Sequence, residues 1–178
     1  MPSALVVIDM LNTYDFEDGD DLAESVRATI PNIRTLLDRA ADEDVPVIYV
    51  NDNYGDWNSS ADELVEHGLA GRHPDLVEPI RPPEAASFVI KARHTIFFGT
   101  PLEYLLGEKG IDRLVLAGQV TEQCVLYSAL DAYVRQLQVA VPADAVAHIH
   151  PDLAEAALKM MERNMGADVA PSAECLLR

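Results

Sequence analysis

The stretch "DRLVLAGQVTEQCVLYSAL" (112–130) decides how this chain is read. It opens with branched and small apolar residues, Leu114 to Ala117, unbroken by any polar side chain. That composition suits a strand buried on both faces. Gly118 ends the run, and from Thr121 to Leu137 the pattern turns helical. A strand that passes into a helix across so short a turn is one βα unit of a parallel sheet.

The same unit recurs outward in both directions. "ALVVID" (4–9), "VPVIYVN" (45–51), "SFVIK" (87–91), "QVAVPADA" (138–145) and a short "ADVA" (167–170) read as the other strands. Between the first two, Val26, Ile30, Ile33, Leu36, Leu37 and Ala40 form one helical stripe across 21–43, with Pro31 predicting a kink or two short helices. "TPLEYLLGEKG" (100–110) reads as a short helix with a Thr cap and a Gly stop, and "PDLAEAALKMMERNMG" (151–166) as a helix with Pro at its start. Residues 52–86 hold Gly, Pro, Asn, Asp, the only Trp and one short helix near 60–67. So long a connection commonly binds or covers something. The alternation predicts an α/β fold, a single domain over 1–178, with a parallel sheet and helices on both faces.

Bulk properties narrow the function. Thirteen basic against thirty acidic residues give a net charge of −17, a field that repels nucleic acid and anionic membrane surfaces. No apolar run reaches membrane-spanning length, and "MPSALVVIDM" lacks the basic start of a signal peptide. The expectation is a soluble cytoplasmic protein whose partner is a small molecule, not nucleic acid or membrane. The loop after the first strand, "DMLNTYDFEDGD" (9–20), has no G-x-G-x-x-G and is acidic, which argues against a nucleotide-binding domain.

In parallel sheets, ligands bind beyond the carboxyl ends of the strands, near the point where strand order reverses. Asp9, Lys91 and Cys124 all fall at or just after such ends. With Thr121 as helix cap, Cys124 stands in the first turn, where unpaired N–H groups and the helix dipole favour a thiolate and lower its pKa. Position alone leaves two readings, a nucleophile or a small buried residue packing helix on sheet. Asp9 can take the thiol proton, and Lys91 can hold the carboxylate and balance the charge.

Three blocks, "VVIDMLNTY", "VIKARHTIFFGTPLEYLL" and "GIDRLVLAGQVTEQCV", resemble the signature segments of the isochorismatase-like cysteine hydrolases, in order and over about residues 4 to 170. The resemblance implies a six-stranded, mostly parallel, Rossmann-like sheet and a homo-oligomer. It implies Cys124 as nucleophile, Asp9 as general base and Lys91 as the residue positioning Asp9. The backbone amides of Val120 and Cys124 would form the oxyanion hole, with a cis peptide at Val120–Thr121. The implied reaction is hydrolysis of an amide or carbamoyl C–N bond through a thioester. Vinyl-ether hydrolysis and a silent binding module are the other readings, and the presence of Asp9, Lys91 and Cys124 together weighs against both.

Departures from the family pattern point to the pocket. Tyr14 stands where a Phe commonly walls the substrate, and Trp57 and Thr121 are further candidate substrate contacts. Nicotinamidases in the family bind a metal through Asp-x-His after the second strand. Here that segment is Asp52, Asn53, Tyr54, and His67 and His73 match no metal-ligand spacing strongly. No metal or cofactor is therefore expected, and nicotinamidase is disfavoured. His94, three residues after Lys91, either touches substrate or is solvated. Cys175 has only Arg178 as a basic neighbour in sequence, which predicts an inert thiol.

Overall fold

The first strand, β1 (Ser3–Ile8), is buried at every residue because it lies in the middle of the sheet. The computed structural model describes residues 2–175. β2 (Val47–Asp52) pairs with one edge of β1 and β4 (Arg113–Gln119) with the other, so that Ile8 stands opposite both Val50 and Gly118. β3 (Ser87–Lys91) adds outside β2, while β5 (Gln138–Pro142) and β7 (Asp168–Ala170) add outside β4. Every pairing is parallel, in the order β3-β2-β1-β4-β5-β7. The chain moves outward from β1 to β3 and then returns to the far side of β1 as β4. Strand order thus reverses between β1 and β4, the place where such sheets bind ligands.

One strand lies beyond the six expected. β6 (Val146–Ala147) pairs with the end of β4, at Gly118 and Gln119, past the last β5 partner of β4 at Val115. Two residues between turns are too short to leave a hydrophobic pattern.

Alternate residues of the strands feed separate cores. Leu5, Val7, Val115 and Ala117 face α1 (Gly19–Asp42), together with α2 (Ala61–Leu69) and α3 (Pro74–Val77). Val6, Ile8, Leu114 and Leu116 face α4 (Leu102–Glu108), α5 (Leu126–Val134) and α6 (Pro151–Met165). The long 52–86 connection is more ordered than its composition suggests. Ser60 and Glu63 form a reciprocal cap on α2, and Leu64, Leu76, Val77 and Ile80 join the α1-side core.

Pro31 does not break the first helix, which is assigned without interruption from Gly19 to Asp42. Both Pro31 and Arg27, whose carbonyl loses its partner, are exposed, so water can satisfy the freed oxygen. Gly118 is required at the reversal point: its φ is +115°, and a Cβ there would stand 2.2 Å from the Ile8 carbonyl oxygen. Among the described residues no helix is long and apolar enough to cross a membrane.

Candidate active site

Asp9 leaves β1 with φ of +55° and is held by its own backbone. Its N–H donates to the Val50 carbonyl at 2.9 Å, and its carbonyl accepts from Gln119 Nε2 at 2.6 Å. The side chain is thereby aimed across β2. Asp9 Oδ1 accepts from the Asp52 N–H at 2.7 Å, and Oδ2 lies 2.9 Å from Lys91 Nζ. Lys91 ends β3, opposite Asp52, and must pass β2 to reach Asp9. On the way its ammonium meets Asp52 Oδ2 at 3.3 Å, and beyond it lies Cys124 Sγ at 3.7 Å. The Lys91 side chain has no exposed surface.

The three groups shift one another. Burial raises the Asp9 pKa above the usual carboxylate range, although Lys91, the Cys124 thiol and the Asp52 amide all favour the charged form. Burial alone would lower Lys91, but Asp9, Cys124 and Asp52 outweigh it and hold the ammonium charged. The Cys124 thiol is pushed up, first by burial and then by the negative charge of Asp9, with Lys91 offsetting part. This corrects the expectation of a lowered pKa from helix position alone. The resting thiol is thus neutral, beside a charged Lys91 ammonium.

The turn beneath the cysteine also differs from its sequence reading. β4 runs on to Gln119, one residue past Gly118, and the cis peptide lies at Gln119–Val120 instead of Val120–Thr121. Thr121–Val125 form a wide π-type turn, closed by Val125 N–H to the Val120 carbonyl at 3.1 Å, before α5 begins. Thr121 does not cap it: its hydroxyl donates to the Ala147 carbonyl of β6 at 2.8 Å. β6, absent from the sequence reading, supplies that acceptor.

A cleft of about 500 Å³ opens above the sulfur, lined by Asp9, Cys124, Val120, Phe16, Tyr54 and His94 among others. His94 Nδ1 is 3.7 Å from Sγ on this open side. Of the proposed substrate contacts, Tyr14 and Thr121 do not line the cleft. Tyr14 is fully buried, with its hydroxyl 3.5 Å from Gln119 Oε1, so it supports the side chain that holds Asp9. Trp57 is 80% exposed and lines an adjoining cleft that shares Asp52, Tyr54 and His94 with the first. Cys175 lies on the opposite face of the sheet, in the α1-side core, with Arg39 donating to its carbonyl and Arg113 nearby. Arg178, its only basic neighbour in sequence, is outside the described residues.

Sequence reasoning missed Asp52 as a member of the charge set, Gln119 as the clamp on Asp9, and Asn51, which bonds both the N–H and the carbonyl of Leu11. The one signal was their position at the ends of β2 and β4. The metal that the sequence pattern of nicotinamidases implies does not fit these residues. Asp52 gives Oδ2 to Lys91 and Oδ1 to the Tyr54 N–H, His73 faces Asp20, and among the described residues no three His, Cys, Asp or Glu side chains cluster for a metal.

Residues 3–174 match the Isochorismatase domain, and the chain belongs to that family of hydrolases, which includes amidohydrolases and nicotinamidases. It is 33% identical over 166 residues to the uncharacterized isochorismatase family protein YaaI of Bacillus subtilis, covering 93% of this chain and 92% of that one. The ureidoacrylate amidohydrolase RutB of Agrobacterium fabrum is 31% identical over 182 residues, covering 87% and 80% of the two chains. Among solved structures, the nicotinamidase PncA of Bacillus subtilis superposes with a TM-score of 0.74 at 31% identity, over 96% of this chain and 99% of its own.

Proposed function

We propose that this protein is a cysteine hydrolase that cleaves a C–N bond of a small amide, carbamoyl or ureido substrate through a thioester. The observation that carries the reading is the buried contact set in which Lys91 Nζ lies 2.9 Å from Asp9 and 3.7 Å from Cys124 Sγ. Asp9 takes the thiol proton as sulfur attacks the carbonyl carbon. The proton then passes to the leaving nitrogen as the C–N bond breaks, and water hydrolyses the thioester. Moving the proton from thiol to carboxylate relocates one negative charge beside Lys91 without changing the net charge of the buried site. The reaction therefore avoids creating a new uncompensated charge away from water. The amides of Val120 and Cys124 receive the carbonyl oxygen as it becomes negative.

Two further expectations belong to this proposal. The site works in the cytoplasm, where a thiol stays reduced. The protein works as a homo-oligomer, supported by exposed Tyr127, Leu130 and Val134 on the outer face of α5, an apolar stripe in a chain of net charge −17. An ammonia-release screen over amides, ureas and carbamoyl acids, with Cys124→Ala as control, tests the function. Turnover that disappears in Cys124→Ala supports it, and turnover that survives in that variant contradicts it.

A further inference from the structure

We infer that His94 is a second acid–base residue of this site, activating the water that hydrolyses the thioester on Cys124. The inference rests on the thioester reading above and concerns the second half of that reaction.

The sulfur has two unlike sides. Asp9 and Lys91 approach it from within the protein, and both Asp9 oxygens are engaged, one by the Asp52 N–H and one by Lys91. Asp9 also borders the cleft, but with both oxygens engaged and 7% of its surface exposed it leaves little room for a water molecule beside an acylated sulfur. The attacking water must come from the cleft. On that side His94 Nδ1 stands 3.7 Å from Sγ, and the ring lines both the cleft above the sulfur and the one adjoining it. Asp15 also faces the cleft, but the acid–base groups in contact with the sulfur are Asp9 and Lys91 on one side and His94 on the other.

The histidine is exposed yet held in place. Its neighbours in sequence are tied to α5: Thr95 Oγ1 donates to Asp131 Oδ2 at 2.6 Å, and the Ile96 N–H donates to Ser128 Oγ at 3.1 Å. Tyr127 of the same helix lies against the imidazole, with ring centroids 5.4 Å apart. A side chain fixed this way can act at a reacting centre without first being ordered.

In the step assigned to it, neutral His94 carries its proton on Nε2 and accepts one from water at Nδ1 as the water oxygen bonds to the acyl carbon. The tetrahedral adduct then collapses, the C–S bond breaks, and the imidazolium returns the proton to sulfur. One water is consumed, one carboxylic acid leaves, and thiol and imidazole are restored.

p-Nitrophenyl acetate separates the two half-reactions without knowledge of the natural substrate. Acylation of Cys124 releases a burst of p-nitrophenolate, and deacylation sets the steady rate that follows. His94→Gln is expected to keep the burst while the steady rate falls by about 10²- to 10⁴-fold. Intact mass spectrometry should then show the acetylated protein accumulating. His94→Gly should regain steady turnover when imidazole is added, a rescue that a packing role would not give. A His94→Gln steady rate within about threefold of the parent overturns the assignment, as does equal loss of burst and steady rate, or failure of imidazole to rescue. Release of p-nitrophenolate that survives in Cys124→Ala would instead overturn the thioester reading, and this step with it.

Discussion

Cys124 and Cys175 make an internal comparison. Both are buried, at 8% and 2% exposure, and in both burial is the main force raising the thiol pKa. Their neighbours separate them. Cys124 meets a carboxylate, an ammonium and an imidazole, and lines a cleft. Cys175 sits under α1, where the charges around it are those of Arg113, Asp168, Arg39 and Asp144, and Arg113 is paired with Asp168 between β4 and β7. Burial alone therefore does not make a thiol inert. What distinguishes Cys124 is a base within reach and an opening through which a carbonyl can arrive.

The comparison breaks most visibly at the base. Asp9→Asn should fold, because Lys91 keeps Asp52 as a partner, yet turnover should fall by about two to four orders of magnitude. Circular dichroism beside a rate assay checks both halves, and near-parental activity would move the base elsewhere. A smaller contrast is expected in alkylation. Brief treatment with iodoacetamide should label Cys124 at least about tenfold more than Cys175, because the cleft admits the reagent and only the thiolate attacks. Since the Cys124 thiol is raised, its labelling should keep accelerating as pH rises beyond the usual thiol range. Peptide mapping that finds Cys175 labelled first in the folded protein would reverse the comparison. The smallest effect concerns metals. With Asp52 committed to Lys91 and Tyr54 in the position of a ligating histidine, EDTA should leave turnover unchanged within about twofold. Loss of activity that zinc or iron restores would contradict this.

The sheet was legible because strands buried on both faces are unbroken apolar runs, and β1 and β4 are buried throughout. Asp9, Lys91 and Cys124 stood out because an ionisable or nucleophilic residue at the end of such a run needs a partner. Asp52 did not stand out, since its place depends on β2 lying between β1 and β3, a fact of strand order. Tyr14 was placed in the pocket because a Phe commonly walls the substrate at that point of the family pattern, and Thr121 was grouped with it at the start of the Cys124 turn. Neighbours in sequence do not share a direction, and these two turn inward, to Gln119 and to Ala147. The Cys124 thiol was expected low because a helix start was visible and the nearby Asp9 charge and the depth of burial were not.

The central claim is that Cys124 carries the acyl group of the substrate. Once the screen supplies a substrate, the protein can be mixed with it at saturation, quenched in acid within the first turnovers, digested and mapped by mass spectrometry. The account predicts an acyl adduct on the peptide containing Cys124, none on the peptide containing Cys175, and no adduct in Cys124→Ala. Rapid turnover with an unmodified Cys124 peptide, and with activity retained in Cys124→Ala, would contradict it.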